Sequence, residues 1–367
     1  MGKIRYVFLQ PDCYECQLTT FEVSMKYAIN GRFYSQRLTG VQRYAREIVR
    51  ELDALPIADS VCILIADDAV DLPEFQRMRV VRLGKKANQT WLQLAVPFYC
   101  MANHLISVNL CGAGPMLSPG IVVAHDVGFF RHPDFVSRAF YLWGKCQMHN
   151  TMLRAKSVVT VSNFSKKEIN DIFKAGRKEI EVVPCAWQHI LRVKEDAAVL
   201  DKNELRENGY YFAMSSVTKN KNMDWIYRTA RLNPASRFVI AGGFDQKVFG
   251  AGGLSEMENV LFLGRISDGE AVALMKRCRG FLFPTFYEGF GIPPLEAMAC
   301  GASIAVSDTE VMHEVYGDAA HYIDPACPCK DIDGLFSEEC ASPDMVLAKY
   351  DWARSARMLA QAMKDVS

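Results

Sequence analysis

Several features are missing from this sequence, and each absence narrows what the chain can be. Neither charge is in excess: 42 lysines and arginines balance 42 aspartates and glutamates. Global electrostatics therefore does not point to nucleic acid, and none is expected as a partner; an anionic partner must be met by a local patch. Long apolar runs are also missing. The most hydrophobic region, Leu92 to Leu117, is broken by Pro97, Asn103, His104 and Asn109. That suits a helix followed by a buried strand and makes a poor membrane span. No secretory leader pattern, internal repeat or low-complexity tract is read. The 12 cysteines have no framework spacing, which fits a reducing cytosol better than a disulfide-built fold. Cys13/Cys16 form a CxxC and Cys327/Cys329 a CPC; a zinc site built from both is the minor reading, since nothing pairs them in sequence and the spacing at Cys327 is poor for a zinc knuckle. No metal and no cofactor is expected.

What is present is an ordinary globular composition, 50% hydrophobic and 23% charged over 367 residues. A chain of that length is expected to split into two domains. Apolar strand-like runs alternate with helical patterns from Met25 onward, among them KYAIN, VCILIA, GIVVAHD, SVVTVS and EIEVVP. The chain turns polar and loses periodicity between Trp187 and Asn208, where a linker is placed. A second series follows: YYFAMSS, SRFVIAGG, NVLFLGR, RGFLFP, ASIAVS and AHYIDP. Such alternation argues for parallel sheets covered on both faces, with ligands at the carboxyl ends of the strands. Met1 to Ser24 read first as an upstream extension, with an appended strand or an arm as alternatives. The closing YDWARSARMLAQAM is an amphipathic helix expected to pack back across the domains. The expected units are thus 1–24 (extension), 25–190, 191–345 and 346–367 (closing helix).

The stretch FPTFYEGFGIPPLEAMACG, Phe283 to Gly301, carries the chemistry. The preceding RGFLF is a buried strand, and Pro293 and Pro294 suit a first helical turn that Gly301 can end. A strand, a glycine turn and a helix start together aim free backbone N–H groups at one point, an anion site. Glu288 lies before the helix and Glu296 within it, and carboxylates accept hydrogen bonds from sugar hydroxyls. An anion site between two hydroxyl acceptors suits a nucleotide-sugar. Two surface glutamates flanking a tight turn are the plain alternative.

The chain resembles the retaining glycosyltransferases of family 4. The resemblance rests on TGVQRYAREIVREL, VVAHDVGFFRHPDF, VVTVSNFSKKEI, NKNMDWI, FVIAGG, NVLFLGRISD and EVYGDAAHYIDP, in the family's order, with the E-x7-E motif of Glu288 and Glu296. It runs from about Tyr27 to Met363 and is weakest between Pro56 and Lys86 and in the linker. It implies the α/β GT-B fold: two facing Rossmann-like, doubly wound domains with a deep cleft. The donor nucleotide-sugar would sit mostly on the C-terminal domain, and the acceptor on the N-terminal one.

By this resemblance Glu288 holds donor-sugar hydroxyls and Glu296 the ribose. Backbone N–H groups of Gly289, Phe290 and Gly291 would contact sugar or diphosphate. Lys221 matches the diphosphate lysine, a cation that offsets charge growing on the leaving group. A second basic residue is expected shortly before it; of Ser215, Ser216 and Lys219 only Lys219 is cationic. Gly40 corresponds to the glycine loop, where a missing Cβ allows backbone to approach a phosphate, and a turn glycine is the plain alternative. His125 would orient or polarise near the reacting centre, with a core histidine as the alternative, while Asp126 fixes its loop. Arg265 and Ser267 lie where the base binds. Asn163 and its serine neighbour read as a helix cap, and Glu314 matches a glutamate whose role is open. Arg37, Arg43, Arg46 and Arg50, near Arg32, are expected to serve an acidic acceptor or an anionic membrane surface, unless Glu47 and Glu51 pair with some of them. Asp331-Ile-Asp333, the pattern nearest to a metal-holding Asp-x-Asp, reads as a helix cap.

The expected function is a metal-independent, retaining hexosyl transfer in bacterial O-antigen, capsule or exopolysaccharide synthesis. GDP-mannose is the first donor expected, ahead of GDP-fucose, dTDP-rhamnose or a UDP-sugar. The expected acceptor is a lipid-linked glycan, met by a cytoplasmic protein peripheral to the inner face of the membrane. A hydrolysing nucleotide-sugar epimerase of similar fold, or an inactive sugar-nucleotide-binding module, are the alternatives.

Overall fold

The computed structural model describes residues 25–112, 114–174, 179–214, 218–243 and 257–366. The extension 1–24, with Cys13 and Cys16, and also Ser215 and Ser216, lie outside them. Two parallel sheets organise the chain. The first has the order β3-β2-β1-β4-β5-β6-β7. Its strands are β1 (Tyr27–Asn30), β2 (Val61–Ile65), β3 (Arg79–Arg82), β4 (Ile106–Asn109), β5 (Ile121–Val123), β6 (Ser157–Thr160) and β7 (Ile180–Val182). The second has the order β10-β9-β8-β11-β12-β13. It comprises β8 (Tyr211–Met214), β9 (Phe238–Ala241), β10 (Val260–Gly264), β11 (Gly280–Phe283), β12 (Ile304–Ser307) and β13 (His321–Ile323).

All strand pairs are parallel, so each connection must cross over, usually through a helix. Central strands such as β2 and β11 are apolar and buried at every position, as layers on both faces demand. β3 escapes the apolar-run reading: it is an edge strand, RVVR, mostly exposed, with charge at both ends of the kind that protects an open edge.

The helix Gly40–Asp53 packs its buried face, including Tyr44, Ile48 and Leu52, on one side of the first sheet. The helix Trp352–Lys364 closes over it. Tyr27 donates its hydroxyl to the Met363 carbonyl at 2.8 Å, and Ser355 Oγ donates to the Pro184 carbonyl at 2.8 Å. The last helix therefore completes the layer built on the first strands. The polar stretch read as a linker is not structureless. It holds a tight helical turn at Gln188–Arg192 and a short helix at Ala198–Lys202, with His189, Val199 and Leu200 buried. Both pieces are too short to show a period, which is why the sequence reads as irregular there. No helix among the described residues is long and apolar enough to cross a membrane.

Candidate active site

The carboxyl ends of the two sheets face each other across a cleft of about 760 Å³, a volume that suits a small-molecule site. On the C-terminal side, β11 leads through a turn into the helix Ile292–Ala299, with Pro293 and Pro294 in its first turn. Gly291 caps that helix at φ +94°, a conformation that glycine adopts without a Cβ penalty. Pro293 and Pro294 carry no N–H, so the backbone N–H groups this turn can offer a ligand are those of Gly289, Phe290, Gly291 and Ile292, all of which line the cleft. Phe290 turns its ring into the core, 5.0 Å from Tyr350, so its backbone is what it offers a ligand.

Lys221 Nζ donates to Glu288 Oε1 at 2.5 Å; the two side chains are 19% and 13% exposed. Burial pushes the Glu288 carboxyl above the usual carboxylate range, and the Lys221 charge opposes that rise. The lysine is held by its neighbours. Asn222 adopts a left-handed conformation at φ +51° and donates to the carbonyls of Pro284 and Pro325. Asn220 Nδ2 donates to the Tyr287 carbonyl at 2.8 Å. The Lys221 turn and the Glu288 turn are thereby sewn into one surface. Lys219 is exposed on the same turn and does not line the cleft. Three guanidinium groups do line it, those of Arg37, Arg43 and Arg265, and they supply the positive charge that a search close to Lys221 in sequence could not find.

Glu296 is buried and accepts from His189 Nε2 at 2.6 Å. Trp352 Nε1 lies 3.1 Å from His189 Nδ1. An indole N–H only donates, so Nδ1 is the acceptor and Nε2 carries the hydrogen that reaches Glu296. This chain of contacts joins the closing helix, the linker and the cleft carboxylate. Sequence reasoning missed His189; its one signal is the apolar company of Trp187, Ile190 and Leu191 in a polar stretch.

On the N-terminal side, His125 follows β5. Its Nε2 lies 2.8 Å from the Leu110 carbonyl; a carbonyl only accepts, so Nε2 carries the hydrogen and Nδ1 is left as an acceptor. The ring stands edge-on to Tyr44 at 4.9 Å, and burial lowers its pKa. Asp126 fixes the loop by accepting from Gly128 N at 2.8 Å. Gly40 opens its helix beside Ile292 of the facing domain, within the cleft lining.

The two sides touch at Gly289. A Cβ there would lie 2.2 Å from the His125 carbonyl oxygen, and Ser162 Oγ donates to the Gly289 carbonyl at 2.6 Å. Ser162, not Asn163, caps the helix Asn163–Phe173, accepting from Ser165 N at 3.0 Å. Asn163 and Phe164 instead present backbone N–H groups to Glu314 across the cleft, each at 2.7 Å. Glu314 is thus a carboxylate seated on a helix N-terminus, a favourable site for negative charge. Ser267 caps the helix Asp268–Arg277 reciprocally with Glu270. Asp331 caps Ile332–Leu335, and Asp333 accepts from Tyr211 and pairs with Arg279 at 2.8 Å. No group of three or more candidate metal ligands occurs among the described residues.

The four arginines expected to share one patch do not. Arg43 reaches Asp268 of the facing domain at 2.7 Å. Arg37 lies near Gly243 and Arg265. Arg46 sits over the Tyr34 ring, 3.8 Å from Asp71, and only Arg50 of the three on the helix is exposed. Glu47, the alternative partner for the arginines of its own helix, pairs with Arg192 of the linker instead. Sequence spacing placed these residues on one helix but could not show that Asp268 and Arg192 approach from elsewhere in the chain.

With this geometry in hand, the chain can be compared with known proteins. The family model "Glycosyl transferases group 1" matches residues 197–362. The chain is similar to O-antigen chain mannosyltransferase B of Escherichia coli, 29% identical over 67% of this chain and 66% of that protein. It is also similar to O-antigen chain mannosyltransferase RfbU of Salmonella typhimurium, 26% identical over 64% of this chain and 65% of that one. The matches span just under two thirds of either relative's length. Among solved structures, Anabaena HepE in complex with UDP and glucose superposes with a TM-score of 0.65 at 14% identity, over 93% of this chain and 100% of that one. At that identity the likeness concerns the fold.

Proposed function

From a chain that belongs to the group 1 glycosyltransferases and has the GT-B fold, we propose a metal-independent transferase that moves mannose from GDP-mannose to a lipid-linked glycan, with retention at the anomeric carbon. The observation that carries the reading is the Lys221–Glu288 pair at 2.5 Å, set in the cleft beside the Gly291 helix start. A cation, a set of free N–H groups and a hydroxyl acceptor lie together there, as a sugar diphosphate requires. The likeness to two O-antigen mannosyltransferases supports the choice of mannose and the role in surface polysaccharide synthesis.

In this reading the donor diphosphate lies against the start of helix Ile292–Ala299, with Lys221 and the cleft arginines around it. Glu288 exchanges its contact with Lys221 for hydroxyls of the donor sugar, and Glu296 holds the ribose. The bond from the anomeric carbon to the diphosphate oxygen breaks, and the acceptor hydroxyl oxygen bonds to that carbon on the same face. Its proton passes to the leaving diphosphate, whose growing charge Lys221 offsets. His125 orients the acceptor hydroxyl through Nδ1. The test is calorimetric titration with GDP, UDP and dTDP without metal, followed by transfer assays. GDP should bind best; a clear preference for another base would replace the donor, and no binding by any of the three would overturn the transferase reading.

A further inference from the structure

The helices Trp91–Ala102 and Arg138–Arg154 present apolar side chains to the outside. A surface helix ordinarily turns that stripe inward. In Arg138–Arg154 only Met148 and Thr151 are buried, while Phe140 is 55% and Leu153 80% exposed, with Leu142 and Trp143 also exposed. In the other helix Phe98 is 57% exposed, flanked at helical spacing by exposed Leu94 and Met101.

Strand register brings the two helices together. Ala28 pairs with Cys62 and Ser107, and Asn109 pairs with Val122, which pairs with Val158. Alternate residues of a strand share a face, so the cores under both helices lie on one side of the first sheet. Helices Gly40–Asp53 and Trp352–Lys364 occupy the other side. The segment around Met116 joins the pair: Met116 N donates to Gln93 Oε1 at 2.9 Å, and Asn150 Nδ2 donates to the Met116 carbonyl at 3.0 Å. Leu117 beside it is exposed too.

Charge on the two helices is of one sign. Neither Trp91–Ala102 nor Arg138–Arg154 has an acidic residue, and Arg138, Lys145 and Arg154 are exposed on the second, while Lys85 and Lys86 before the first stand near Asp68, which accepts from Ala87 N at 3.2 Å. Apolar side chains ringed by basic ones are the pattern that seats on anionic lipid. A cavity of about 300 Å³ opens between the two helices, lined by Leu92, Phe140 and Gln147, and runs inward to His125 and Asp126.

We propose that the face formed by Trp91–Ala102 and Arg138–Arg154 docks on an anionic lipid surface, with its apolar side chains among acyl chains and its lysines and arginines at the headgroups. This moves the membrane contact away from the arginines of helix Gly40–Asp53, which lies on the opposite side of the sheet. It deepens the reading of a lipid-linked acceptor, because the cavity gives a headgroup a path from that face to His125. The two readings fail separately, since vesicle binding and nucleotide binding are measured independently.

The test is co-sedimentation of the full chain with phosphatidylcholine vesicles, with and without phosphatidylglycerol, at low and high salt. Binding is expected with phosphatidylglycerol and should weaken with salt. Phe98→Ser and Leu153→Ser should each lower the partition constant by about tenfold while leaving GDP titration unchanged, which also reports that the variants are folded. Three outcomes would overturn the proposal. The wild type does not bind anionic vesicles at low salt; the serine variants bind as well as it does; or Arg50→Glu abolishes binding while they do not. A concentration-dependent dimer that the same serine changes abolish, without vesicle binding, would assign the face to self-association and overturn it equally.

Discussion

Replacing His189 by leucine tests whether the buried chain from Trp352 to Glu296 holds the cleft in shape. Leucine fills most of the imidazole's volume, so a cavity contributes little. Two hydrogen bonds disappear, one from the Trp352 indole and one to the Glu296 carboxylate, of 3.1 and 2.6 Å. Each leaves a buried polar group without that partner, at about 1–3 kcal/mol, the charged carboxylate toward the upper end. The expected loss is about 4 kcal/mol in all, or a melting temperature lower by about 5 °C for a chain of this length. Calorimetric unfolding measures it. A looser Glu296 should raise KM for the donor more than it lowers kcat, since ribose contacts are made in ground and transition state alike. Trp352→Phe removes the indole donor, and His189→Leu with Trp352→Phe should cost less than the sum of the two changes, because both break the same bond. Unfolding and donor KM both unchanged in His189→Leu would refute the reasoning.

Glu288→Ala should lower kcat/KM by about 10²–10³-fold with the circular dichroism spectrum unchanged; an active variant would undo the assignment. The Glu288 carboxyl titrates above the usual range because it is buried, with Lys221 opposing. Its ionised form is the one needed, so activity should be full above that raised pKa and fall as pH drops through it. Lys221→Met removes the opposing charge and should move the acid limb of the residual activity to higher pH; an unmoved limb would assign it to another group. Gly289→Ala puts a methyl 2.2 Å from the His125 carbonyl oxygen, so the domains must separate. Small-angle scattering should show a larger radius of gyration, with kcat reduced, and an unchanged radius would show that the contact is not kept in solution.

Much of the fold was legible because parallel strands buried on both faces must be written as apolar runs, and β1, β2 and β11 are. β3 was not, since an exposed edge needs no such run and RVVR resembles any charged loop. At the site, the Glu288–Gly291 turn could be read because proline and glycine fix backbone geometry locally. Lys221 could be placed only through its neighbours. What stayed hidden was every pairing between distant segments: Glu314 with Asn163, Arg43 with Asp268, His189 with Glu296. Such contacts leave no local spacing to read. Lys219 drew attention by adjacency to Lys221, yet the cleft takes its further cations from two other segments, that of Arg37 and Arg43 and that of Arg265.

The last helix, Trp352–Lys364, covers the helix that follows the first described strand, and Tyr27 is bonded to Met363. During synthesis the early sheet therefore leaves the ribosome long before the segment that covers it. Tyr44, which packs on Trp352, has to wait for nearly the whole chain to emerge. The later sheet, with its strands close together in sequence, meets no such delay and can form first, although earlier segments usually fold first during translation. A chain cut short before Trp352 would keep a second sheet able to close and leave the first with an apolar helix uncovered, a species more apt to aggregate than to work.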